Sequence, residues 1–204
     1  MNLESMYQKL QQHTPAVLGS RRTPHFAILL PLVEREGEVH ILFEVRARRM
    51  RRQPGEICFP GGKVDRSDPD ERYTAIRETT EELGITAGCV THVLPLDYLV
   101  SASGTIIYPF VGQVQAEGMT PNPGEVEEVF TVPLSHFQQT QPDVHLLHLK
   151  PVPEPGFPFH LIPGGENYNW QTRSMEEYFY HYEDKVIWGL TARILQHFLE
   201  IIHT

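Results

Sequence analysis

The chain has 204 residues, 17 Lys+Arg against 26 Asp+Glu for a formal charge of −9, and an apolar fraction of 40%. That suffices for one domain over 1–204 with its own core, and the excess of acid excludes sequence-independent duplex binding, which depends on neutralising phosphates. No apolar run approaches the roughly 20 residues of a membrane span, the opening MNLESMYQKLQQH lacks the plan of a secretory leader, and Cys58 and Cys89 form no CxxC pair, so a reducing, cytoplasmic setting is expected.

Met1 to Gln12 has the spacing of a short amphipathic helix, through Leu3, Met6, Tyr7 and Leu10. Phe26–Val33 and Val39–Arg46 read as strands around a charged turn at Gly37, a hairpin. Residues 54 to 68 hold Pro54, Gly55, Pro60, Gly61 and Gly62 and read as loop. Residues 69 to 83 carry full helix signals: Asp68 as N-cap, Pro69 at the first helical position, Glu71 at the third, and Gly84 as the left-handed stop. Val93–Val100, Thr105–Val114, Val126–Val132 and Tyr178–Trp188 are strand candidates, and Thr191–Ile202 a closing helix. Residues 151–165 hold five prolines and three glycines and run on to Tyr168 and Trp170, which favours a covering loop over a substrate lid.

The central helix carries RETTEELGI at 77–85. At 100° per residue, Glu78, Glu81 and Glu82 share one face, and Tyr73, Ile76 and Leu83 the other. Like charges at i,i+3 and i,i+4 cost an isolated helix roughly 0.2–0.5 kcal/mol per pair, so Arg77 or a bound cation must offset them. An acidic pair on a helix is ordinarily a solvated face. Here the loop Phe59-Pro60-Gly61-Gly62-Lys63 precedes it, and glycines let backbone groups approach a ligand closely.

This unit, about 61–85, resembles the Nudix box: a Gly, five residues, a Glu, seven residues, then R-E-aliphatic-x-E-E-x-G-aliphatic. Arg77, Glu78, Glu81, Glu82, Gly84 and Ile85 match; Thr79 stands where an aliphatic residue is usual. From Gly62 there are fourteen residues before Arg77 rather than thirteen, and Asp68 replaces the first Glu. The longer loop is similar to the coenzyme A pyrophosphatase branch of the Nudix hydrolase superfamily. Leu42-Phe43-Glu44-Val45-Arg46-Ala47 follows that branch's L-L-T-x-R-(S/A) stretch apart from its threonine, and Arg51, Gly55 and FPGG follow its R-x3-G-x3-FPGG spacing. Tyr108–Gly112 and Ile187–Arg193 extend the likeness.

The resemblance implies an α+β fold, a Nudix-type α/β/α sandwich with a mixed β-sheet. It implies hydrolysis of the pyrophosphate of coenzyme A or its derivatives to adenosine 3′,5′-bisphosphate and a 4′-phosphopantetheine, with Mg2+ or Mn2+. The metal ligands would be Glu78 and Glu82, assisted by Glu81, with Arg77 orienting the carboxylates. A further glutamate outside the box, ligand or base, falls in NPGEVEEVF. Glu125 is favoured there over Glu127 and Glu128, with a solvated loop as the alternative. Arg46, Arg48, Arg49, Arg51 and Arg52 fall within seven residues of a chain with only four lysines. Arg suits bidentate phosphate recognition, and Arg46 and Arg51, with Gly61 and Gly62, are the candidates to meet substrate. His145 and His148 sit in a strand-like run and make no metal site.

The alternatives are a Nudix pyrophosphatase of ADP-ribose or reduced NAD, and a Nudix-fold binding or regulatory module without turnover. The partner expected is a small molecule, with neither nucleic acid nor membrane, and the resemblance also allows a homodimer. The charge is uneven: residues 44–66 hold seven basic and three acidic groups, and residues 117–184 two basic and eleven acidic. A polyanionic substrate would therefore depend on the local arginines and on metal charge held by the glutamates.

Overall fold

The computed structural model describes residues 2–203. In chain order its helices are α1 (Leu3–Gln11), α2 (Glu71–Leu83), α3 (Leu134–Gln139) and α4 (Gly189–His203). Its strands are β1 (His25–Arg35), β2 (Glu38–Arg46), β3 (Ile57–Cys58), β4 (Gly61–Lys63), β5 (Val90–Pro95), β6 (Leu99–Val100), β7 (Ile106–Val114), β8 (Val126–Pro133), β9 (Asp143–Leu149), β10 (Arg173–Tyr182) and β11 (Lys185–Trp188). Two compact units emerge, one from the chain up to Leu30 with Pro60–Thr120, the other from Pro31–Phe59 with the chain from Pro121 onward.

In the first unit the opening half of β1 pairs antiparallel with β4, Ala27 against Gly62 and Ile28 against Gly61. Thus the stretch read as loop holds two short strands, β3 and β4, and β4 can lie against β1 because Gly61 has no side chain there. β5 and β6 both pair antiparallel with β7, so the run 93–100 is two strands rather than one. α2 packs with Ala75 and Leu83 fully buried, while Tyr73, expected on the packed face, is exposed. The buried face is Thr74, Ala75, Thr79, Glu82 and Leu83. Thr79 is buried without penalty because its hydroxyl donates to the Ala75 carbonyl at 2.7 Å, which explains a polar residue where the box favours an aliphatic one. Gly84 closes the helix at φ 63°, and a Cβ there would overlap the Thr120 carbonyl. α1 forms on its expected spacing, capped by the Asn2 side chain, yet buries no residue; Met1 lies outside the described residues.

In the second unit the remainder of β1 turns through Glu36 and Gly37, both at positive φ, to pair with β2, the expected hairpin. β2 also pairs antiparallel with β3 and β8. Phe43 is stacked on Phe59 and Phe130 at 5.0 and 5.5 Å and meets Phe137 of α3 edge-on, fixing the centre of this core by area and ring geometry. The late stretch 178–188 is a hairpin rather than one strand, because Glu183 takes φ 51° between β10 and β11. α4 buries Ile194, Leu195, Phe198 and Leu199, each contributing roughly 1.5–3 kcal/mol of apolar burial. The Tyr180 hydroxyl donates to Gln196, and burial pushes its pKa up to about 12. β9 is an exposed edge strand, and its alternation puts His145 and His148 on opposite faces. Beyond it, Phe157, Phe159, Tyr168 and Trp170 pack ring on ring at 4.9–5.9 Å, so the proline-rich loop holds its shape through its own aromatics.

Candidate active site

The first unit gathers charge around one guanidinium. Arg77 donates from Nε to Asp68 Oδ1 at 3.3 Å and from Nη2 to Asp68 Oδ2 at 3.1 Å. Its Nη2 lies 2.8 Å from Glu78 Oε1, and its Nη1 donates to Glu81 Oε2 at 3.2 Å. The fixed five-donor fork of Arg suits it to meet three carboxylates from one position. The cost of clustering acids on α2 is thereby offset by Arg77.

Asp68 does not cap the helix. The N-cap is Asp70, whose side chain accepts from Tyr73 N at 2.7 Å; the helix starts at Glu71. Asp68 instead accepts from Arg77, from the Thr74 hydroxyl at 2.8 Å and from Asp65 N at 3.1 Å. These bonds, the Arg77 hydrogen bond first, hold its pKa down at about 2, while the same pairing raises that of Arg77. Because the folded pKa lies below the ordinary value of 3.8, Asp68 contributes stability above about pH 4, which fades as pH falls toward 2. Asp68→Asn is therefore expected to be less stable than the parent at pH 7, with the gap closing between pH 4 and pH 2, as followed by urea unfolding at successive pH values.

The three box glutamates are not equivalent. Glu82 is 6% exposed and accepts from Gly61 N at 2.8 Å; the Glu81 side chain is 55% exposed; Glu78 lies against Gly62. A Cβ on Gly62 would overlap the Glu78 carboxylate, whereas one on Gly61 would fall 2.6 Å from the Ile28 Cα. The two glycines should therefore separate experimentally. Gly62→Ala is expected to displace a flexible side chain, lowering metal-dependent activity while the melting temperature stays near the parent's; Gly61→Ala strikes backbone and should lower the melting temperature itself.

Among the described residues no three Asp, Glu, His or Cys side chains form a ready-made metal cage. Magnesium does not need one: it is held by one or two carboxylates, retained waters and substrate phosphate oxygens. The all-oxygen set of Glu78 and Glu82, packed against a glycine pair that leaves space only for the carboxylate, fits that mode. Glu81, turned to Arg77 and solvent, fits an assisting place.

The second unit holds the arginine cluster. Arg46 closes β2 where the register with β8 shifts, Val45 opposing Glu128 and Arg46 opposing Val126. Such a bulge re-aims a side chain. Its backbone is fixed on both sides, N to the Glu56 carbonyl at 2.9 Å and O from Gly55 N at 3.0 Å. Arg46, Met50, Arg51 and Arg52 line a recess of about 610 Å3, and Arg46 Nε is buried with no hydrogen-bond partner among the described residues. The Arg49 side chain turns elsewhere, and Arg48 is held by its backbone. Arg48 N donates to Glu127 Oε2 at 3.5 Å, and the Arg49 side chain donates to the Pro123 and Gly124 carbonyls. Glu125 is half-buried, its carbonyl accepting from Ala47 N at 2.8 Å. The structure thus brings together Arg77, Glu78, Glu81, Glu82, Gly61 and Gly62 in the first unit, and Arg46 and Arg51 in the second, where Glu125 does not line their recess. Sequence reading missed Asp68 as the partner of Arg77, although an acid on either side of Pro69 was a signal that one of them was not the cap. It also assigned nothing to Glu44, which is 1% exposed in the middle of β2.

Known proteins resemble the chain in sequence and in fold. The NUDIX domain family matches residues 23–153. The peroxisomal coenzyme A diphosphatase NUDT7 of Mus musculus is 41% identical over 123 residues, 57% of this chain and 50% of that protein. The mitochondrial coenzyme A diphosphatase NUDT8 of Homo sapiens is 34% identical over 181 residues, 86% of this chain and 68% of that protein. The chain thus spans half the length of the mouse relative. In fold, a MutT/nudix family protein from Enterococcus faecalis superposes with a TM-score of 0.54 at 14% identity, covering 100% of this chain and 71% of that one, which makes the architecture the Nudix-type α+β fold.

Proposed function

This chain belongs to the NUDIX domain family, and on that premise we propose that it hydrolyses the diphosphate of coenzyme A or its derivatives. Water adds to one phosphorus and the bridging P–O bond breaks, giving adenosine 3′,5′-bisphosphate and 4′-phosphopantetheine or its acyl form. The observation that carries the reading is the carboxylate array held by Arg77 over Gly61 and Gly62. Glu78 and Glu82, assisted by Glu81, would hold Mg2+ or Mn2+, which supplies charge neutralisation at the bridging oxygens and a more acidic bound water. Arg77 fixes the direction of Glu78 and Glu81, and Gly61 N fixes that of Glu82, the kind of outer support that orients metal ligands. Glu125 is the candidate outside the box to accept the proton of the attacking water, or to serve as a further ligand.

Coenzyme A is favoured over ADP-ribose or reduced NAD by the arginine recess. Coenzyme A carries a 3′-phosphate besides its diphosphate, and the recess supplies three guanidinium groups, one with a buried Nε donor still to be met. That agrees with what the two diphosphatase relatives are named for. In a chain of −9, such a local cationic surface is what lets a polyanion bind. Neither cysteine is in a disulfide, which suits the reducing cytoplasm proposed for it, and no described helix is long and apolar enough to cross a membrane. The relatives' peroxisomal and mitochondrial names make those compartments the rivals. A homodimer remains part of the proposal, testable by light scattering.

Purified protein incubated with Mg2+ or Mn2+ and coenzyme A, ADP-ribose or reduced NAD, with products separated chromatographically, tests the reading. Adenosine 3′,5′-bisphosphate from coenzyme A is expected. Hydrolysis of ADP-ribose or reduced NAD alone would move the substrate to the second reading, and no hydrolysis with either metal would overturn the enzyme.

A further inference from the structure

Arg49 stands apart from the other arginines of its loop because its guanidinium already donates to two backbone carbonyls. The turn it meets is built by Asn122. The Asn122 side-chain oxygen accepts from Gly124 N at 2.9 Å, and its carbonyl accepts from Glu125 N at 3.0 Å and Val126 N at 2.9 Å. With its N–H groups gathered inward on Asn122, the turn presents the Pro123 and Gly124 carbonyls to the Arg49 guanidinium. A Cβ on Gly124 would lie 3.0 Å from Asn122 Oδ1, a tight contact, and 3.7 Å from Arg49 Nη2, an ordinary one. Next to this contact, Ala47 N donates to the Glu125 carbonyl at 2.8 Å and Arg48 N to Glu127 at 3.5 Å. Three successive residues, Ala47, Arg48 and Arg49, therefore grip the segment 123–127.

We infer that Arg49 is a positioning residue that locks the arginine loop onto the Asn122 turn, so that the anion recess of Arg46, Arg51 and Arg52 and the placement of Glu125 are set by one clamp. A guanidinium shared between two carbonyls fixes both position and angle, which a single ammonium cannot do. Releasing it frees the loop that carries Arg51 and Arg52 at one end and the backbone of Glu125 at the other. The substrate side of this inference rests on the diphosphatase reading; the coupling of the two segments does not.

The test uses Arg49→Ala, Arg49→Lys, Asn122→Ala and the double variant Arg49→Ala/Asn122→Ala. Hydrogen exchange without substrate should show residues 47–52 and 122–127 losing protection together in Arg49→Ala. Calorimetric binding of pyrophosphate should weaken roughly tenfold in Arg49→Ala, with partial recovery in Arg49→Lys. Asn122→Ala should reproduce the loss, and the double variant should add little to it, as for residues acting as a unit. With coenzyme A as substrate, Arg49→Ala should raise KM and lower kcat together. Unchanged protection of 122–127 in a folded Arg49→Ala protein would overturn the clamp. So would a silent Asn122→Ala beside a weakened Arg49→Ala, which would make Arg49 a direct anion ligand. If the parent protein turns over no diphosphate, the functional reading fails while the exchange experiment still decides the coupling.

Discussion

Glu82→Gln is expected to lower kcat for coenzyme A on the order of 1,000-fold, because several kcal/mol of charge stabilisation depends on a carboxylate there and each 1.36 kcal/mol is worth tenfold. The substitution is informative because of where Glu82 sits. Its side chain is buried and one oxygen accepts from Gly61 N at 2.8 Å. The amide oxygen of Gln can keep that hydrogen bond, so the glycine loop stays in place while the negative charge is lost. Circular dichroism and the melting temperature should match the parent protein, and the affinity for Mn2+ should fall. Glu81→Gln makes the contrast. Glu81 is largely exposed and, among the described residues, held by Arg77, so its loss should cost about 10-fold, in the range of groups that orient ligands rather than bind the metal directly. Equal effects at Glu81 and Glu82 would show that burial does not rank the glutamates, and would overturn the assignment of Glu82 as a principal ligand.

Local spacing and punctuation carried much of this structure. The helix over RETTEEL, its stop at Gly84, the hairpin around Gly37 and the strand content of 105–114 and 126–132 follow from periodicity and turn residues, which act within a few positions. The misplaced features depend on distant partners. Nothing local distinguishes Asp68 from Asp70 as a cap; a guanidinium nine residues on decides it. Tyr73 looks like a packing residue by phase, but the helix turns Glu82 inward because the Gly61 N–H awaits a carboxylate. The hairpin at Glu183 was invisible because its turn uses Glu and Asp rather than Asn-Gly. Among five arginines the R-x3-G-x3-FPGG spacing singles out Arg51, but nothing local shows where Arg49 goes, since its partners are the carbonyls of a turn more than seventy residues away.

Arg46 should be the most sensitive of the recess residues, and Arg46→Ala is expected to raise KM for coenzyme A by about 10- to 100-fold, the worth of one or two hydrogen bonds to a charged group. Arg46 alone combines fixed backbone on both sides, through Glu56 and Gly55, with a buried Nε that lacks a partner among the described residues. A buried donor left unmet costs the protein stability, so a ligand that meets it gains the full bond. Two outcomes follow. Arg46→Ala removes that unmet donor, so thermal stability should hold or rise even as KM increases. Arg46→Lys keeps the charge without the Nε donor or the fork, and should recover only part of the affinity. Because the recess is assigned to phosphate beyond the diphosphate, the loss should be larger for coenzyme A than for its 3′-dephospho form, measured as the ratio of kcat/KM for the two substrates. A ratio unchanged from the parent protein would place the 3′-phosphate elsewhere, and a KM unchanged for both would remove Arg46 from the substrate site.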